Sequence, residues 1–224
     1  MIKAEFFIQL IGSSFFLILN IYLAKNGFSD PEIANFISYR FLAVMLLAFP
    51  LGFYIKGRPL KPFFIIGSLG VPLFSIFLII AIKYFLYSLL PVLFILLGLF
   101  FTLFQVSTLP YIMRNTNTDS HSHAISLNYA THSFGTIISG IIIFIFSQFM
   151  RDVDEGSILI GISIFSFLSL FYLLKIKVDV VFPVKNVVQL KSYNWLLIIK
   201  AVIPTLIIAI GAGLTIPFIN LFFF

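Results

Sequence analysis

The sequence predicts an all-α, polytopic bundle of transmembrane helices, and three observations carry that prediction. Of the 224 residues, 61% are hydrophobic and only 10% are charged, whereas soluble domains carry roughly a quarter charged residues. The mean hydropathy is +1.14. The apolar residues form long runs that short polar segments separate. These runs are apolar on every side, which excludes the alternating strands of a β-barrel.

Seven of these runs are long enough to cross a bilayer, since a spanning helix needs about 20 apolar residues. We predict helices at 5–25, 33–55, 62–82, 88–113, 123–149, 157–175 and 195–220. The segments between them carry turn residues, for example Asn26-Gly27 and Gly57 with Pro59. The first run continues to Ala24 without a small-residue cleavage site, so we assign it to a spanning helix and not to a signal peptide.

The cations predict the orientation of the bundle. With these helices, nine fall at one side: Lys3, Lys56, Arg58, Lys61, Arg114, Lys175, Lys177, Lys185 and Lys191. Only Lys25, Lys83 and Arg151 fall at the other. Short loops rich in Lys and Arg remain cytoplasmic during insertion. We therefore predict an integral membrane protein with a cytoplasmic N-terminus, in the lipid bilayer of a bacterial inner (plasma) membrane.

Other function classes find no support in the sequence. The net charge of +6 comes from cations scattered over short loops, so no nucleic-acid partner is predicted. The chain has no cysteine, which excludes thiolate chemistry. Asp119, His121 and His123 stand in a predicted polar turn, at alternate positions that suit a metal poorly. We predict no metal, no cofactor and no enzymatic activity.

The loop after the second run, LGFYIKGRPLKPFFIIG, carries a family resemblance. Gly52, Gly57, Arg58 and Lys61 resemble the signature loop of the major facilitator superfamily, although the Asp of that pattern is missing here. The segment from 110 to 135 is similar to the inner loop through which the family enters a glycine-bearing fifth helix. The resemblance implies that the loop, as a gating loop, helps to hold one state of the transporter.

The resemblance also implies a domain organisation and a function. Residues 1–175 would be an N-terminal six-helix bundle, 176–194 a cytoplasmic connector, and 195–224 a seventh helix that starts a missing second half. Such a protein is a secondary transporter that moves a small-molecule solute by alternating access. We expect the chain to be truncated, with the missing half or a second copy as its partner. The alternative is a non-transporting membrane scaffold or assembly module, which would give no solute uptake.

Arg40 is the foremost candidate for a cavity residue. It is predicted about seven residues, or roughly 10 Å, below the outer end of the second span. A charge at that depth is a functional hypothesis by default, but the side chain could instead extend to the outer interface. The other cavity candidates are Asn20, Gln105, Asn128 and His132. Asn128 and His132 share a helix face, which serves either interhelical hydrogen bonds or a ligand.

No Asp or Glu is predicted inside a span. Transport is therefore expected not to depend on a protonatable carboxylate from residues 1–220. His132 remains the group able to change charge near neutral pH.

The predicted orientation can be tested with single cysteines, because the chain contains none of its own. A membrane-impermeant thiol reagent added to intact cells should label Asp154→Cys and spare Arg58→Cys. Labelling of position 58 with protection of position 154 would reverse the orientation.

Overall fold

The structure is a computed structural model that describes residues 1–149, 153–176 and 194–215, and all regular structure in these ranges is helical. The helices are α1 Ile2–Lys25, α2 Asp30–Tyr54, α3 Lys61–Lys83, α4 Leu90–Asn115, α5 Thr118–Phe149, α6 Glu155–Ser166, α7 Leu168–Leu174 and α8 Trp195–Thr215. A 3-10 turn, Tyr87–Leu89, leads into α4. Among the described residues, six helical segments are long and apolar enough to cross a membrane, with α6 and α7 forming one of them.

The structure confirms the first six predicted helices and corrects their ends. The largest difference is α5, which begins at Thr118 and not at 123, since Asp119 in its first turn suits the positive end of the helix dipole. The predicted polar turn therefore shrinks to 116–117. The sixth predicted helix is interrupted at Phe167. Of the seventh, 216–220 lies outside the described residues, as does 177–193 of the connector.

One end of the bundle, which we call the acidic end, gathers the loops 26–29 and 84–89 and the start of α6. The Phe28 and Tyr87 rings meet edge-on with centroids 4.6 Å apart, and Lys25 forms an ion pair with Glu155. The described carboxylates at this end are Asp30, Glu32, Asp154 and Glu155. Two of them start helices: Glu32 forms a capping box with Ser29 on α2, and Asp154 accepts from the Ser157 N–H on α6 at 3.2 Å.

The opposite end, which we call the basic end, gathers the start of α1, the loops 55–60 and 116–117, and the end of α7. Lys61 Nζ donates to the Leu174 carbonyl at 3.0 Å, and Arg114 Nη1 donates to the Arg58 carbonyl at 2.7 Å. The described cations at this end are Lys3, Lys56, Arg58, Lys61, Arg114 and Lys175. The first six helical segments therefore run in alternating directions, and the grouping of charges predicted from the sequence is confirmed for the described residues.

The helix packing follows a repeated pattern. The sixth segment, α6–α7, packs on α1 as α3 packs on α4, and α1 packs on α5 as α2 packs on α4. If the first, second and third segments are exchanged for the fourth, fifth and sixth, these four helix contacts map onto one another. Because the segments alternate in direction, α1 runs parallel to α5, and α2 runs parallel to α4. By contrast, every described side chain of α8 is exposed or half-exposed.

Glycines permit the closest helix approaches. A Cβ built on Gly98 of α4 would overlap the Arg40 carbonyl oxygen of α2, so the two backbones touch there. On α3, a Cβ at Gly67 would stand 3.0 Å from the Phe100 carbonyl oxygen of α4. Small residues allow helices to pack this way where the surroundings are as apolar as the helices themselves.

Gly98→Ala should destabilise the bundle, since its methyl group forces α2 away from α4. Overpacking of this kind costs about 1–3 kcal/mol, and thermal unfolding of the detergent-solubilised protein measures the loss as a lower Tm. Gly161→Ala on α6 is the matched control, because a Cβ there meets nothing within 4 Å. Equal Tm values for the two variants would contradict the close α2–α4 contact.

Candidate functional site

Arg40 lies deeper in the bundle than the sequence predicted. The helix α2 begins at Asp30, ten residues before Arg40, which places this residue about 15 Å from the helix start. Its guanidinium carbon lies over the Phe101 ring of α4, 4.8 Å from the ring centroid, a cation–π arrangement. Phe101 is eleven residues into α4. The charge is therefore held at middle depth and does not extend towards the acidic end, as the interfacial interpretation required.

Arg40 and Asn20 line one cavity between α1, α2 and α4. Its volume is about 60 Å³, room for a few water molecules. The remaining walls are apolar: Phe15, Phe16, Leu19, Ile37, Phe41 and Phe94. Asn20 is 4% exposed. A few polar groups in an otherwise apolar pocket are the usual composition of a small-molecule site.

The other three predicted cavity residues lie elsewhere. Gln105 is exposed on α4, one helical turn beyond Phe101, and does not line the cavity. Asn128 and His132 lie on α5 beside α1, near the basic end. Asn20 and Arg40 therefore lie at one site, and Asn128 and His132 lie at another. The five predicted residues do not form a single site.

A buried carboxylate completes the second pair. Glu5 is 3% exposed, and its Oε1 lies 2.9 Å from His132 Nε2. The Asn128 amide, in the orientation that satisfies both groups, donates to Glu5 Oε1 at 3.2 Å and also to Oε2. The prediction that no acidic side chain lies inside a span is wrong here. Because α1 begins at Ile2 and not at residue 5, Glu5 falls in its first turn, inside the bundle.

Polar contacts continue along the α1–α5 interface. Ser13 Oγ and Thr136 Oγ1 lie 3.0 Å apart, and Ser139 Oγ donates to the Leu10 carbonyl at 3.2 Å. The buried residues of α5 are all small or polar, at spacings of three or four: Asn128, Thr131, Gly135 and Ser139. Asn128, in the orientation given above, makes a contact with α1 of the kind that the interhelical interpretation of this face requires.

The predicted gating loop is held by Arg114, which the sequence analysis counted only among the cations that predict the orientation. Arg114, at the end of α4, donates from Nη1 to the Arg58 carbonyl at 2.7 Å and from Nη2 to the Ile55 carbonyl at 3.2 Å. The Arg58 guanidinium itself lies 3.8 Å from the centroid of the Tyr54 ring. Gly57 has a φ of +73°, which favours glycine.

The other two loop residues differ from each other. Lys61 Nζ donates to the Leu174 and Ile176 carbonyls, which ties α3 to the end of α7 and satisfies carbonyls that a helix terminus leaves open. Gly52 is exposed, and a Cβ there would meet nothing within 4 Å. The structure thus gives Lys61 a fastening role and gives no packing reason for glycine at 52.

The described residues contain no group of three potential metal ligands. His121 Nε2 lies 3.0 Å from the Thr116 carbonyl, which occupies one ring nitrogen. Comparison with family models, curated proteins and solved structures finds no match for this chain. The fold and the sites place the chain in a broad class. It is an all-helical protein with six described segments that are long and apolar enough to cross a membrane, and it has two polar sites between its helices.

Arg114→Gln should loosen the 55–60 loop, because it removes the cation that holds two of its carbonyls. Loss of one charge-assisted hydrogen bond, about 1.5 kcal/mol, corresponds to roughly tenfold faster amide exchange, measured by hydrogen–deuterium exchange of the loop peptide. Arg58→Gln is the control, since its exposed side chain does not hold the loop backbone. Unchanged exchange in Arg114→Gln would contradict the fastening role.

Proposed function

We propose that this chain is a six-helix half, with the beginning of a second half, of a secondary transporter similar to the major facilitator superfamily. It would sit in a bacterial inner membrane with its basic end cytoplasmic and move a small solute by alternating access. The packing pattern supports this proposal, because three-segment units that repeat in opposite orientation are a building principle of transporters. The excess of Lys and Arg at one end supports the orientation.

The observation that carries the proposal is that Arg40 and Asn20 line the same cavity at middle depth. Inverted-repeat transporters bind their substrates near the bilayer midplane, between the repeats. The cavity lies between α1 and α2 of the first three-segment unit and α4 of the second. A central arginine costs about 2.5–3.5 kcal/mol on insertion, which favours a functional reason for it.

The solute would carry an anionic group. Among the described residues no carboxylate lies within ion-pair distance of Arg40, and its visible partner is the Phe101 ring. A guanidinium can hold a carboxylate or phosphate through two parallel hydrogen bonds. The Asn20 side chain would add a polar group on the α1 wall.

A protection experiment separates transport from a scaffold role. Asn20→Cys would be alkylated with N-ethylmaleimide in the presence of phosphate or lactate, which are among the smaller anionic solutes, with glycerol as a neutral solute of similar size. A transporter predicts that at least one anion slows alkylation and that glycerol does not. Asn35→Cys, exposed on α2 outside the cavity, controls for general effects. Equal rates with every solute at both positions would favour the scaffold.

Arg40→Gln should abolish that protection while leaving expression nearly unchanged, since the neutral side chain is cheaper to insert. Arg40→Lys should also weaken protection by about tenfold or more, because an ammonium cannot reproduce the two-pronged geometry. Both effects are measured as the anion concentration that halves the alkylation rate. Full protection in Arg40→Gln would remove Arg40 from the binding site.

A further inference from the structure

Glu5, His132 and Asn128 form a cluster that the cavity around Arg40 does not use. The Glu5 carboxylate is sealed from the surroundings, with 4% of its side chain exposed. It is not alone, since His132 Nε2 meets Oε1 at 2.9 Å and the Asn128 amide faces both oxygens. A buried charge is expensive unless it is paired and hydrogen-bonded. The cost of burying Glu5 therefore depends on its two partners and on the number of protons that the cluster holds.

Charge balance favours one shared proton. With no proton added, Glu5 is an anion beside a neutral imidazole, and the pair carries a buried negative charge. With one proton, the pair is neutral overall, whether that proton lies on His132 Nε2 or on Glu5 Oε1. With two protons, a buried positive charge results. A low-dielectric site disfavours separated charges, which favours the uncharged arrangement with the proton on Glu5 and a neutral imidazole at His132.

His132 gives this pair access to protons. Its side chain is 32% exposed, against 4% for Glu5, so the imidazole is the open side of the cluster. A groove of about 420 Å³ lies nearby between α1, α5 and α7, and its polar lining residues are Lys3, Thr131 and Tyr172, so His132 itself does not line it. Imidazole is also the side chain whose charge changes near neutral pH.

Other ionisable groups face the basic end of the helices packed around α1. They include the Met1 ammonium, Lys3 on α1, Lys61 on α3, Tyr129 on α5 and Tyr172 on α7. Tyr129 contacts the His132 ring, with centroids 6.3 Å apart. Burial lowers the pKa of the Met1 ammonium, and the nearby Glu5 carboxylate opposes that shift. These described neighbours are neutral or cationic, and the Asp119 carboxylate lies thirteen residues, or about 20 Å, before His132 on α5, so none of them replaces Glu5 as the acid.

We propose that Glu5, His132 and Asn128 form a proton-binding site that fastens α1 to α5 at the basic end. A proton from the surroundings reaches the pair through the partly exposed imidazole of His132 and comes to rest on Glu5, and it leaves by the same route on release. Binding cancels the buried negative charge and strengthens the contact between the helices. Release leaves that charge in place and loosens the contact. The proposal stands whether or not the chain transports a solute.

Infrared difference spectroscopy of the 224-residue protein in lipid vesicles tests the site. Between about pH 9 and about pH 5, the range around the imidazole transition, Glu5 should contribute a carbonyl stretch of a protonated carboxyl group. That band should be absent in Glu5→Gln. In His132→Gln, which keeps a hydrogen-bond donor but cannot carry a proton, the pH dependence of the band should change.

Two controls keep the outcome specific. His123→Gln changes an exposed imidazole on the same helix, and Glu32→Gln removes the capping carboxylate at the acidic end. Both should leave the Glu5 band where it is. If Glu5→Gln does not fold, Glu5→Asp should instead shift the band frequency. A wild-type protein without this band, or a band that His132→Gln leaves in place, would overturn the proposal.

Discussion

The structure depends on polar side chains that pair with one another between the helices. In lipid, a helix satisfies its own backbone, so polar side chains must find partners on neighbouring helices or in water. The α1–α5 interface does this from the Glu5–His132 contact to the Ser13–Thr136 contact eight residues further along α1. The buried residues of α5 are small or polar, whereas large apolar residues such as Phe134 and Ile137 are exposed, the reverse of a soluble helix. This arrangement supports membrane insertion.

The two polar sites occupy different depths of one bundle. The cavity with Arg40 lies at middle depth and extends towards the acidic end, whereas the Glu5 cluster lies one turn inside the basic end. α1 contributes to both, through Asn20 and Glu5. A change in how α1 meets α5 would therefore be felt by the cavity wall, since α1 is a continuous helix from Ile2 to Lys25. This connection gives a physical route from a proton to the shape of the cavity.

Much of the fold could be predicted from the sequence, because long apolar runs and loop cations depend only on neighbouring residues. Helix ends were harder, and two of them changed the site. Starting the first helix at residue 5 left Glu5 at the edge of the bundle, and starting the second at 33 left Arg40 nearer the interface. The role of Arg114 rests on carbonyls more than fifty residues away. No local pattern could have shown that contact, whereas the shared face of Asn128 and His132 was visible from their spacing.

The parallel pairing of α1 with α5 is the central claim, because the proton site and one cavity wall both rest on it. Ser13→Cys with Thr136→Cys tests it in isolated membranes, since the two side-chain oxygens lie 3.0 Å apart and a disulfide needs such proximity. The account predicts rapid oxidation to the intramolecular disulfide, and almost none for Ser13→Cys with Ser147→Cys, whose second residue lies eleven residues, or about 16 Å, beyond Thr136 along α5. Equal cross-linking of both pairs, or none in either, would contradict the pairing.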